Sequence, residues 1–453
     1  MQITVKNLGP ISKGFISLNE HLVIITGPNN TGKSYLTYLI HGISQHEALS
    51  GLLNFRQEIL DLISERDFIA RAIDEGENIN THDFVADILP DVFRLITANT
   101  IKNLPRIFAS TSINGDIDIK QGPVVFSETD TYIKYFSSAN DVFNIITYNG
   151  ETSRNLVPSS YKNLKEYIID SLYLYVSLCI DPILKKRTYF FPAERTAINL
   201  FAKHLTSTKA DIKDELDAEV INGLTDVELG RRLRSQVTAA PKYPYSIRDY
   251  INFVNNFKKT EEGGFASIAS DIEVILAGGE FHLDEFAQPK FKPKGSESFL
   301  EIHITSSLVK SLSYLIFYLR YVAQQGDRVI IDEPELNLHP DLQISLARII
   351  AQMVNGGLRV VISTHSDYLI KELNNLLLLG ELNENDNHQA FVKDKGYLAN
   401  EILKKELVGA YFLKEGSIER IDLSEDGLVV PTINDAISRV DGLAEEIYME
   451  MED

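Results

Sequence analysis

Cysteine is almost absent: the 453 residues contain a single one, Cys179. No internal disulfide is available, nor a Cys/His zinc cluster at the usual ligand spacing, so a reducing compartment fits best. Long apolar runs are missing too. The richest stretches, at 172–180 and 312–322, carry polar interruptions and fall short of the ~18 apolar residues a bilayer span needs. The opening Met1-Gln2-Ile3-Thr4-Val5-Lys6 alternates like a strand and lacks the basic-then-apolar layout of a signal peptide. A cytoplasmic protein without membrane contact is the expectation. Basic charge is also scarce, with 44 Lys+Arg against 64 Asp+Glu and a net charge of −20, which opposes indiscriminate binding to phosphate backbones or anionic lipid. DNA would need a local basic surface. Lys185-Lys186-Arg187, Arg231-Arg232-Leu233-Arg234 and Lys290/Lys292/Lys294 are candidates, against the commoner alternative of solvated faces.

What is present is ordinary globular composition, 44% hydrophobic and 24% charged, enough to bury a core of about three domains' length. Two regions read as parts of one α/β core, split in sequence. Strand-like segments at 3–5 and 15–18 lead into Leu22-Val23-Ile24-Ile25-Thr26, a short apolar run typical of a strand buried on both faces. A helix over 35–43 follows. The second block comprises a helix from 308 to 324, a buried strand at 328–331, a helix at 340–354 and a buried strand at 359–363. Between them, 45–184 reads as mainly helical, broken by a polar patch at 114–118 and a Tyr/Phe/Ile-rich stretch at 132–148. A strand end at Tyr189-Phe190-Phe191-Pro192 precedes further helices over 202–270, then a turn at Gly278-Gly279 and two strands, 281–286 and 299–304, flanking a loop with Lys290, Lys292, Pro293 and Lys294. Residues 411–453 hold 3 Lys/Arg and 12 Asp/Glu, an acidic tail that is either a dock for a basic partner or a solvated face. The domain reading is a head's N-terminal lobe at 1–44, a helical insertion at 45–186, a head lobe with helical insertion and hairpin at 187–297, the C-terminal lobe at 298–380 and an acidic extension at 381–453. Sustained heptads and fixed-period repeats are absent.

The strongest motif is Gly27-Pro28-Asn29-Asn30-Thr31-Gly32-Lys33-Ser34, a full match to the phosphate-binding loop pattern between a buried strand and a helix. Its glycines let successive backbone N–H groups, those of Asn29, Asn30, Thr31 and Gly32 among them, turn toward phosphate. The helix N-terminus adds partial positive charge, Lys33 reaches the β/γ oxygens and Ser34 would hold magnesium. The cofactors expected are ATP and Mg2+. The second motif, Val329-Ile330-Ile331-Asp332-Glu333-Pro334-Glu335, delivers carboxylates at a strand's C-terminal end, where open α/β sheets place ligands. Asp332 can orient the metal, and Glu333 can act as base toward the attacking water. Third, Val360-Val361-Ile362-Ser363-Thr364-His365-Ser366 ends the next strand with a histidine that could hydrogen-bond the γ-phosphate or the water.

Together these motifs resemble the ATP-binding-cassette ATPases of the SMC, RecF and OLD type. Within that group, Phe191-Pro192-Ala193-Glu194-Arg195-Thr196, the segment before Thr305-Ser306-Ser307-Leu308-Val309-Lys310, and Leu336-Asn337-Leu338-His339-Pro340 look like the AAA-15 family, whose members include ATPase subunits of the PARIS and Septu anti-phage systems. The resemblance implies an α/β P-loop NTPase head of ABC/SMC type, a sheet flanked by helices and interrupted by largely helical insertions. It also implies a homodimer in which Ser306 and Ser307 of one copy meet nucleotide held by the other, although the familiar glycine pair is missing and simple helix capping is the alternative. Glu194 and Arg195 fall at a magnesium-sensing or interface loop, or form a structural pair. OLD-type relatives append a metal-dependent nuclease domain. Here Glu415-Gly416-Ser417 is not followed by an Asp-x-Asp pair, Asp422, Asp426 and Asp435 having the wrong spacing, so a hairpin of 411–413 with 421–430 is expected and any effector, such as a nuclease, would be a separate protein. The rival reading is a DNA repair or recombination ATPase like RecF or the SMC proteins.

Overall fold

The computed structural model describes residues 1–45, 56–71, 79–120, 131–137, 142–148, 151–156, 164–184, 187–202, 243–284, 288–382 and 386–423, with 427, 428, 430 and 442. Its centre is a nine-stranded mixed sheet in the order β5-β1-β2-β16-β15-β3-β14-β13-β9. The strands are β1 (Gln2–Leu8), β2 (Ile11–Ser17), β3 (Leu22–Thr26), β5 (Asp116–Lys120), β9 (Thr188–Phe191), β13 (Arg328–Asp332), β14 (Arg359–Thr364), β15 (Val408–Lys414) and β16 (Ser417–Ile421). Five neighbours, β15, β3, β14, β13 and β9, run parallel, while β1 pairs antiparallel with both β2 and β5. All five residues of β3 and of β13 are buried, as strands covered on both faces must be.

Side chains of each central strand alternate between two apolar layers. Leu22, Ile24, Val329, Ile331, Val360 and Ile362 pack on one side against α7 (Ser307–Tyr321), α8 (Pro340–Asn355) and α9 (Asp367–Gly380). Val23, Ile25, Ile330 and Val361 pack on the other, toward α1 (Lys33–Gln45), α2 (Arg56–Ser64), α3 (Thr81–Ile107) and α4 (Leu164–Leu184). The result is a helix–sheet–helix sandwich of the P-loop NTPase kind. α5 (Tyr245–Asn255) lies beside α1 and β9, and α6 (Ala266–Asp271) runs into a π-helix, Ile272–Ala277. Among the described residues no helix is long and apolar enough to cross a membrane.

Several segments differ from the sequence reading. The polar patch at 114–118 opens β5, an edge strand of the main sheet, whose Asp-Ile-Asp-Ile-Lys alternation buries Ile117 and Ile119 alone. The lysine loop at 290–294 lies largely in a strand, β11 (Pro289–Pro293), the middle of a meander with β10 (Gly279–Leu283) and β12 (Leu300–Glu301), and residues 302–304 form a 3-10 turn. A four-stranded sheet of β4 (Ile79–Asn80), β6 (Thr131–Ser137), β7 (Val142–Tyr148) and β8 (Glu151–Leu156) occupies the Tyr/Phe/Ile-rich stretch. The C-terminal hairpin pairs Val408–Lys414 with Ser417–Ile421 through a tight turn at Glu415-Gly416, in place of 411–413 with 421–430. It is not appended to the head, because β15 inserts beside β3.

Candidate functional site

Parallel strands point their C-terminal ends the same way, so the segments leaving β3, β14, β13 and β9 meet along one edge of the sheet. From β3 comes the phosphate loop. Gly27 has φ +143° and Gly32 φ +102°, and added Cβ atoms would lie 2.3 Å from the Leu413 carbonyl oxygen and 2.7 Å from the Ile11 side chain. Both positions need glycine. Between them Pro28, Asn29 and Asn30 are exposed, Asn30 itself has φ 63° and the Thr31 hydroxyl donates to the Pro28 carbonyl at 2.9 Å. The Lys33 ammonium is buried and donates to the carbonyls of Gly27 (2.9 Å) and Pro28 (2.7 Å). Burial pulls its pKa down, opposed by the charges of Glu333, Asp332 and Glu335.

Asp332, at the end of β13, is 2% exposed. Burial raises its pKa, while hydrogen bonds from the Ser363 and Ser34 hydroxyls act the other way. Ser363 stands opposite Asp332 in the β13–β14 register. Glu333 adopts φ 49°, a left-handed turn that directs its carboxylate out of the strand line. Its Oε1 lies 2.7 Å from His365 Nε2, and that bond holds the Glu333 carboxyl below its ordinary range, with burial opposing. Glu335 accepts from the Thr364 hydroxyl (2.8 Å) and the His365 amide (2.9 Å), tying the two strand-end turns together. Arg195, leaving β9, is buried and donates to the carbonyls of Pro192, Asp332, Glu333 and Pro334; its partners are backbone oxygens, not the carboxylate of exposed Glu194. Ser363, Glu335 and the backbone role of Arg195 went unseen in the sequence. For Ser363 the signal was there, one strand-end residue from His365 on an adjacent buried strand.

Ser306 caps α7, its hydroxyl accepting from the Val309 amide at 3.2 Å, and Ser307 begins the helix, both exposed. Of the basic clusters, the described residues are Arg187, Lys290, Lys292 and Lys294. Arg187 is clamped by Asp327 at 2.7 Å, Lys290 pairs with Glu301 at 2.9 Å and Lys292 sits over the Phe299 ring. Lys185, Lys186, Arg231, Arg232 and Arg234 lie outside the described residues. The donor set fits magnesium: a serine hydroxyl next to a buried carboxylate is the few-ligand, all-oxygen arrangement that this ion accepts when phosphates supply the rest. Among the described residues no group of three or more His, Cys, Asp or Glu could hold a metal by itself.

A lysine-bearing glycine loop facing strand-end carboxylates across one sheet edge is the arrangement of a P-loop ATPase. Residues 1–370 match the AAA ATPase domain family AAA_15, and the chain belongs to that family. No curated protein matches the sequence. Among solved structures, similarity is found to the SMC head domain from Thermotoga maritima (10% identity, 93% of this chain and 98% of that one, TM-score 0.30). An SMC head bound to the C-winged helix domain of ScpA matches at 12% identity over 93% and 97%, with TM-score 0.31. A third, an SMC head with extended coiled coil bound to the C-terminal domain of ScpA derived from Pyrococcus furiosus, matches at 13% over 99% and 98%, with TM-score 0.29. At such scores the fold is read from the sheet order itself.

Proposed function

We propose that this chain binds ATP with magnesium and hydrolyses it, using the nucleotide as a switch for a separately encoded effector in bacterial anti-phage defence. The observation that carries the ATPase reading is the convergence of Lys33, Ser34, Asp332, Glu333 and His365 on one edge of parallel strands. In this reading Lys33 exchanges its two loop carbonyls for β- and γ-phosphate oxygens, and backbone amides of residues 29–34 cradle the phosphates. Ser34 and Asp332 would hold magnesium, which when bound would neutralise charge developing on the phosphates. Glu333 takes a proton from the attacking water, and His365, already bonded to Glu333, orients that water or the γ-phosphate.

Exposed Ser306 and Ser307, the adjoining exposed Ile304, and the exposed Leu336 and Tyr368, which follow Glu335 and His365 in sequence, support closure by a second copy over the nucleotide. The test is a pair of variants. Lys33→Ala is expected to lose ATP binding. Glu333→Gln is expected to retain binding, lose turnover by about 10²–10⁴-fold and elute as an ATP-dependent dimer; wild-type turnover in Glu333→Gln refutes the reading. Purification from the native operon with ATP and Mg2+ tests the partner: a co-eluting nuclease or toxin supports defence. Repair factors, or salt-sensitive ATP-dependent binding to short duplexes, support the RecF/SMC-type alternative.

A further inference from the structure

We propose that Arg195 is a positioning residue for hydrolysis, its guanidinium holding the backbone of the turn after β13 and thereby aiming the Glu333 carboxylate; this rests on the ATPase reading above. Arg195 sits in the first turn of a short helix, 195–202, that follows β9. It is 3% exposed. Nη1 donates to the carbonyls of Pro192 (3.0 Å) and Asp332 (2.8 Å), and Nη2 to those of Glu333 (2.8 Å) and Pro334 (3.4 Å).

Three consecutive carbonyls, from residues 332 to 334, therefore converge on one planar cation. They converge because Glu333 turns left-handed at φ 49°, a conformation sparsely populated by residues other than glycine that persists only where its surroundings over-determine it. Without the guanidinium the Asp332 and Pro334 carbonyls would lose this donor and the Glu333 carbonyl would keep only the Leu336 amide, at 3.2 Å, so the turn would relax toward ordinary strand geometry. The base would then move with it. Burial pulls the arginine pKa down, with Tyr250, Glu335, Asp332 and Glu333 opposing; arginine nevertheless stays charged, and its fork reaches two pairs of acceptors at once. A lysine ammonium is a point donor that cannot span both. Glu335, accepting from the Thr364 hydroxyl and the His365 amide, fixes the backbone of the partner histidine, so base and histidine are each braced by a neighbouring residue.

The full-length chain is compared with Arg195→Lys by three measurements: steady-state ATPase kinetics, affinity for a non-hydrolysable ATP analogue, and hydrogen exchange of the amides at 333–338. The expected result is kcat lowered about 10–100-fold by misplacement of the base, unchanged analogue affinity, and faster exchange at 333–338 with α8 and β14 unaffected. Adding Arg195→Lys to Glu333→Gln is expected to cost no further turnover, because the arginine acts through that carboxylate. Wild-type kcat in Arg195→Lys overturns the proposal. So does a loss of kcat accompanied by equal losses of analogue affinity and thermal midpoint, which marks a general core strut. Should Arg195→Lys fail to fold, Arg195→Gln undergoes the same measurements, and failure of both to fold also overturns it. If the wild type itself does not hydrolyse ATP, the ATPase reading falls alone: faster exchange at 333–338 in Arg195→Lys still supports the clamp, and unchanged exchange refutes it.

Discussion

At residue scale, the phosphate loop leaves little freedom. A methyl group on Gly27 meets the Leu413 carbonyl oxygen at 2.3 Å in a backbone conformation L-residues avoid. Gly27→Ala is expected to abolish analogue binding and to lower stability by about 1–3 kcal/mol, read by titration and by denaturant melts. The Glu333–His365 bond makes a second prediction. It keeps the Glu333 carboxyl below its ordinary range, so His365→Ala lets that pKa rise, and the acid limb of any residual ATPase rate profile moves to higher pH. Lys33 and Asp332 were legible because each ends or follows a run of buried apolar residues. The clamp of Arg195 was not, because three of its four acceptors are main-chain oxygens from a turn 137 to 139 residues downstream, and main-chain oxygens carry no sequence signature.

At the scale of elements, α1 carries a buried histidine facing α5. His41 is fully buried, neither ring nitrogen has a hydrogen-bond partner, and Asp249 Oδ2 is 3.6 Å away. Burial lowers the His41 pKa from 6.5 to about 3. Between those values the unfolded chain binds the proton and the folded one does not, so this group's contribution to stability is lost as pH falls below 6.5. Asp249 works in the other direction, its pKa raised to about 6 by burial. His41→Leu is therefore expected to gain about 2 kcal/mol relative to wild type on going from pH 7 to pH 5, at 1.36 kcal/mol per pKa unit, as measured by urea melts at both pH values. The helix over 340–354 was readable almost to its ends, with Pro340 in the first turn. The strand at Asp116–Lys120 was obscured by its two aspartates, although its alternation was there to be counted.

At the scale of the whole molecule, β15 separates two groups of strands, β3-β14-β13-β9 on one side and β16-β2-β1-β5 on the other. Removing residues 408–453 deletes this join and strips β3 of a parallel neighbour. Such a truncation is expected to yield no soluble folded protein and no cooperative thermal transition, in contrast to a full chain that melts cooperatively. This arrangement was the least legible part of the fold. The sequence shows a strand only at 411–413, short of the full Val408–Lys414, and its place between β3 and β16 follows from register with Leu22–Thr26, which local pattern does not encode. The acidic balance of the surrounding residues made it read as an appendage.

The pairing of Leu22 with both Val360 and Val408 also sets an order of events during synthesis. The phosphate-loop strand is made hundreds of residues before its two flanking strands, so it waits as bare apolar backbone that a chaperone would recognise. Closing loops of that length makes maturation slow. A nascent chain stalled before Val408 is accordingly expected to bind no nucleotide, because the strand that carries the phosphate loop still lacks a neighbour.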